Sequence, residues 1–232
     1  TWTVFENGDP SEKVDIVVLG DGYSKKETET FHSTAQRLID RLFEQEPFRS
    51  RRSDFNVRCV DLEASRSGVT EPQANRYRRS PLSAHYNTFN SPRYVLTFDN
   101  RTLRDAASAV PYDCLIVLVN GETYGGGGIY NDQATVAAGN PAADYVLIHE
   151  FGHHFAGLGD EYYMSQVAYD MSGVPQSEPW EPNVTALFDP ARLKWKGLVK
   201  PDVPVPTPWQ KEAYETESLK MSDAKNAKRA AG

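Results

Sequence analysis

Cysteine is almost absent: Cys59 and Cys114 are the only two among 232 residues. Two cysteines cannot make a disulfide framework. Each sits in a strand-like run, FNVRCVDL or DCLIVLV, so buried free thiols are expected, and a single bridge between them is not deducible from sequence. Long apolar runs are missing as well. No stretch approaches the roughly 18 consecutive apolar residues that a membrane-spanning helix needs, so no membrane span is expected. Positive charge is in deficit, with a net charge of −7, which argues against nucleic acid as a partner. The densest basic run, RYRR at 76–79, reads as a solvated loop. Four consecutive glycines at 125–128 do not make a phosphate loop, because no GK[ST] follows and no helix opens there. No internal repeat occurs. The chain opens on Thr1 with no signal-peptide pattern, which suggests a processed or trimmed chain.

What is present is enough apolar content, 39% of residues, to bury one substantial core. The apolar run at 14–20, bounded by Gly20 and Gly22, predicts a buried strand. Ser24 with Glu27 three residues on is a capping-box signature, and Phe31, Ala35, Leu38, Ile39, Leu42 and Phe43 recur at helical spacing until Pro47. FNVRCVDL predicts a second strand, followed by a long irregular loop over 63–93. A short strand at 94–98, a helix at 101–109 and an apolar strand at 113–119 come next. This alternation predicts an α/β fold, a mixed sheet flanked by helices. One folded domain is assigned to residues 1–200. The proline-rich stretch at 201–208 and the charged stretch after it read as a linker and a loosely ordered polar tail, 201–232.

The most informative run is HEFGHHFAGLGDEYY, from His149 to Tyr163. Its HExxH core is a zinc motif that places two histidines one helical turn apart with a glutamate beside the metal. On a helix of about 100° per residue, His149 and His153 fall about 40° apart on one edge, whereas His154 falls about 140° from His149 and cannot chelate with it. Glu150 lies just off the ligand edge, within reach of a water on the metal. Leu147, Ile148, Phe151 and Phe155 occupy the opposite, buried side. Asn140 and Pro141 suggest the start of this helix, and Gly157 and Gly159 its end. A small Gly152 would let a neighbouring element approach closely.

A catalytic zinc needs three protein ligands and one open position. In the longer motif HExxHxxGxxH the third ligand falls where this chain has Gly159. Asp160, one residue later, is the preferred third ligand and Glu161 the fallback; the competing reading is that both carboxylates cap the turn. Zinc would then activate a water, with Glu150 as general base.

HEFGHHFAGLGDEYY, preceded by TYGGGGIYNDQATVAAG, followed by NVTALFDPARLKWKGL and joined by the opening VDIVVLGDGYS, resembles the IgA-peptidase-like zinc metallopeptidases of bacteria over most of residues 10–200. The resemblance implies a metzincin-like fold around the HExxH helix, a Zn2+ cofactor, endopeptidase action on a protein or peptide substrate, and a secreted or cell-surface location. It also implies a methionine turn beneath the metal. Met171 and Met221 are the candidates, or else the turn lies in sequence beyond this chain. The glycine run before the helix has two readings: a flexible turn, or the lead into a strand at 129–137 that borders the cleft and pairs with an extended peptide. Tyr162 and Tyr163 either stabilise an oxyanion or anchor the turn. His32 and His85 are isolated, and GDGYS at 20–24 is explained by a tight turn into the capped helix. The function from a different class is a non-catalytic binding module for a host glycoprotein or surface polymer. It has no physical need for Glu150 beside a metal pair.

Overall fold

Residues 1–161 and 177–230 are described by the structure, a computed structural model. In chain order the elements are β1 (Trp2–Phe5), β2 (Val14–Asp21), α1 (Thr28–Leu42), β3 (Phe55–Val60), β4 (His85–Tyr86), β5 (Val95–Leu96), α2 (Asn100–Ala107), β6 (Cys114–Val119), β7 (Gly126–Ile129), β8 (Gln133–Ala137), α3 (Ala143–Ala156) and α4 (Lys211–Ala230). Two compact units contain them, Thr1–Gly157 and Leu158–Gly232.

In the first unit six strands form one sheet in the order β1-β3-β2-β6-β8-β7. The central pairs β3–β2, β2–β6 and β6–β8 are parallel, and both edge strands, β1 and β7, are antiparallel to their neighbours. This is the mixed α/β sheet expected from the alternation of elements. Side chains of a strand alternate between faces, so a strand covered on both sides must be apolar throughout. CLIVLV meets that requirement, and β2 meets it over residues 16–20, with buried aspartates at 15 and 21. Ile16, Val18, Ile116 and Leu118 pack towards α1 and α3, against Phe31, Leu38, Leu147 and Phe151. Val17, Leu19, Leu115 and Val117 pack on the other face, against α2 and the long loop through Leu82, Tyr86, Val95 and Leu103. Cys59 and Cys114 are free and buried, and burial pushes both thiols up to about 12. They lie on β3 and β6, two strands separated by β2.

The capping box forms as expected: the Glu27 carboxylate accepts from both the Ser24 N–H at 2.8 Å and the Ser24 hydroxyl at 2.6 Å. The long loop differs from the irregular segment predicted. Residues 85–86 and 95–96 pair as a short antiparallel ribbon, so the strand expected at 94–98 shrinks to two residues. Asp21 fastens the loop to the sheet. Its buried carboxylate accepts hydrogen bonds from the Ser80 hydroxyl (2.7 Å) and the Leu82 and Ala84 N–H groups (both 2.9 Å). Desolvation nevertheless raises its pKa. The GDGYS segment thus does more than turn the chain. A second fastening is Tyr86, whose hydroxyl donates to the Thr123 carbonyl at 3.0 Å.

In the second unit the charged stretch read as a loosely ordered tail is instead helix α4 over Lys211–Ala230. The reason is propensity: KEAYETESLKMSDAKNAKRA has neither proline nor glycine and is rich in Ala, Lys and Glu, the strongest helix formers. Lys220 and Glu217 add an ion pair along the helix at 2.8 Å. No helix among the described residues is long and apolar enough to cross a membrane.

Candidate metal centre on the helix Ala143–Ala156

Asn140 does not cap α3 directly. Its side-chain oxygen accepts from the Ala142 N–H at 2.9 Å and its carbonyl accepts from the Ala143 N–H, closing a turn from which the helix then starts at Ala143. Gly157 ends the helix in the left-handed conformation (φ 62°), the backbone state that favours glycine at a helix C-terminus. Ala143, Val146, Leu147 and Phe151 are buried. Ile148 is only partly buried, and Phe155 is 36% exposed although it stacks on Phe151.

His149 and His153 share one edge of the helix, as the spacing requires. The Nε2 atoms of His149 and His153 lie 3.1 Å apart, with the rings nearly perpendicular at 86°. Two nitrogens on one tetrahedral zinc stand about 3.3 Å apart, so these half-buried imidazoles fit a shared ion in both donor type and separation. Tyr145, one turn earlier, stacks on His149 with ring centroids 6.0 Å apart. His154 points elsewhere. It is 3% exposed, its Nε2 accepts from the Leu115 N–H at 3.1 Å, and its Nδ1 lies 3.2 Å from the Ile129 carbonyl. Burial lowers its pKa, in keeping with a neutral ring that accepts at Nε2 and donates from Nδ1. The Leu115 amide sits one residue before β6 begins to pair with β8 at Ile116, so the imidazole supplies the bond that the sheet does not. His154→Ala is therefore expected to lower stability by about 2–4 kcal/mol, through the unsatisfied amide and the cavity left behind. Denaturant unfolding checks this; an unchanged midpoint would show that the bridge contributes nothing.

The glycine run proves to be neither a flexible turn nor only a lead-in. Gly126–Ile129 is itself the edge strand β7, hairpinned to β8. The expected strand at 129–137 is therefore split by a turn, with only Gln133–Ala137 extended beyond it. Its glycines let the ligand helix come close. A Cβ on Gly126 would stand 2.6 Å from Val146 Cγ1 and 2.9 Å from Glu150 Oε1. One on Gly128 would overlap the Glu150 carbonyl oxygen and approach His153 Cβ to 2.7 Å. The small residues that permit close packing are thus documented on the strand. The sequence signal was present in GGGG, but its partner was not readable.

Asp160 and Glu161 belong to the second unit. There Asn183 holds the turn: its side chain accepts from the Gly159 N–H at 2.8 Å and donates to the Gly159 carbonyl at 2.9 Å and to Glu161 Oε1 at 2.8 Å. Nothing in the spacing singled out Asn183. Met221 is 57% exposed on α4, whereas Met171, Tyr162 and Tyr163 lie outside the described residues. His32 is stacked on Trp2 and bonded to Asp61.

The family of IgA peptidase M64 matches this sequence over residues 3–232. The chain belongs to that family. No curated protein sequence matches it. Membership in this peptidase family implies a bound metal and a protein substrate, and the match runs through α4 as well as the sheet.

Proposed function

We propose that this M64 family member is a zinc-dependent endopeptidase in which His149, His153 and Asp160 hold the metal and Glu150 is the general base. The observation that carries the reading is the convergence of the His149 and His153 Nε2 atoms at 3.1 Å, on a helix that also presents Glu150 and lies against an edge strand. That antiparallel edge strand beside the ligand helix is what supports the metzincin-like description. Two imidazoles and a carboxylate suit zinc and leave a fourth position for water. When bound there, zinc supplies polarisation of the scissile carbonyl and a water pKa near neutrality. Glu150 would serve as the base that takes a proton from the attacking water and passes it to the leaving amine.

The purified protein is expected to carry about one zinc per chain and to cleave an unfolded protein in a chelator-sensitive, zinc-restorable way. Asp160→Ala is expected to weaken zinc binding by at least about 100-fold, and Glu161→Ala by at most about tenfold. Unaltered zinc affinity in Asp160→Ala sinks the ligand set; undiminished cleavage after zinc removal sinks the mechanism.

A further inference from the structure

The edge strand beside the ligand helix has no side chains with which to grip it. β7 turns Gly126 and Gly128 towards α3, so nothing on that strand interlocks with the helix. Leu147 and Phe151 pack into the core elsewhere, but apolar packing is non-directional and tolerates a small slide. Hydrogen bonds do not, since they weaken steeply once stretched beyond about 3.5 Å.

Three hydrogen bonds to the sheet fall on one residue, the neighbour of the ligand His153. The His154 Nε2 accepts from the Leu115 N–H of β6 at 3.1 Å, and its Nδ1 donates to the Ile129 carbonyl at the end of β7 at 3.2 Å. Its own carbonyl accepts from the Asn131 N–H at 3.0 Å, in the turn that joins β7 to β8. Because β8 lies between β6 and β7 and begins only at Gln133, the imidazole ties its two flanking strands together just before it starts. The turn is itself secured. The Asp132 N–H donates to the Ile129 carbonyl at 3.0 Å. From α2, on the opposite face of the sheet, Arg104 donates to the Asp132 carbonyl at 3.3 Å and pairs with its carboxylate. The first turn of α3 has a weaker hold. Asp144 pairs with Arg37 and Arg41 of α1, but the three side chains are 38%, 48% and 53% exposed, and ion pairs so exposed contribute about 0–1 kcal/mol.

Resting on the reading of His149 and His153 as zinc ligands, we infer that His154 is a positioning residue for the metal centre: it fixes where α3 stands along the glycine strand, and with it the His153 ring and the Glu150 carboxylate. The tolerance is small. His153 Cβ lies 2.7 Å from where a Gly128 Cβ would be, and a misplacement of about 1 Å in catalytic groups is enough to reduce rate by about 100-fold.

The test is the zinc affinity of the folded protein, because a residue that only stabilises would lower the melting temperature and leave the affinity unchanged. His154→Phe keeps a buried ring and removes both side-chain bonds. At a temperature where it is fully folded, it is expected to bind zinc about tenfold or more weakly, and its cobalt-substituted form to show an altered visible absorption. His154→Gln is the rescue. Its amide has a donor end and an acceptor end, so zinc affinity is expected to stay within about threefold of wild type. If His154→Phe does not fold, Arg104→Ala takes its place: this half-exposed side chain releases the same turn from the other face, and zinc binding is expected to weaken by about threefold or more. Zinc affinity within about twofold of wild type in the folded variant overturns the positioning role, as does an equal loss in His154→Phe and His154→Gln. A wild type that binds no zinc overturns the ligand reading beneath it instead.

Discussion

Glu150→Gln is expected to retain about one zinc per chain and to lose peptide cleavage by about 10³-fold or more. The substitution is nearly isosteric, and space matters here, because the Glu150 carboxylate lies along the glycine strand, with Oε1 2.9 Å from where a Gly126 Cβ would be. A glutamine fits the same slot, leaves both imidazoles in place and removes only the proton acceptor. Loss of activity with metal retained separates a base from a ligand or a structural residue. Activity within tenfold of wild type on an unfolded protein would sink the role of Glu150. The same result would leave the binding-module alternative as the surviving account only if the wild type were inert too.

Gly128→Ala is expected to have the next largest effect, although it touches no reacting group. Its methyl would stand 2.3 Å from the Glu150 carbonyl oxygen, so α3 must move away from β7. Overpacking of this kind costs about 1–3 kcal/mol. A shift of roughly 1 Å in catalytic groups is enough to reduce rate by about 100-fold. Gly127→Ala is the control. Its methyl meets the far end of the Leu96 side chain on the opposite face, so it should lower the melting temperature while sparing zinc affinity and most of kcat/KM. Equal activity losses in the two variants would show that the helix–strand spacing is not what matters.

The parts of this fold that could be read from sequence are those governed by local chemistry. The apolar runs of β2 and β6, the Ser24–Glu27 box and the angular separation of His153 from His154 depend on near neighbours and a fixed helical period, and all are found in the structure. The features that were missed depend on partners remote in sequence. Gly126–Gly128 reads as loop composition until Val146, Glu150 and His153 are set against it. His154 was excluded as a ligand by angle, yet its bond to Leu115, 39 residues away, has no sequence signature. Asp21 looked like a turn residue because its acceptors' partners, Ser80, Leu82 and Ala84, lie some 60 residues on. The stretch 211–230 differs for another reason: its charge reads as a solvated tail, whereas its helix propensity, with neither proline nor glycine, is what shapes it.

The fastenings at Asp21 and Tyr86 also bear on how such a chain diversifies. Long surface loops tolerate insertion and substitution because closing a slightly longer loop adds little entropic penalty. In this chain the loop is secured to the sheet at residues 80–84 and at Tyr86. The exposed residues between Tyr86 and Arg93, whose carbonyl accepts from the Gly126 N–H, lie between these fixed points. Sequences built on this scaffold can differ at those few residues while the sheet and the helix Ala143–Ala156 keep their packing.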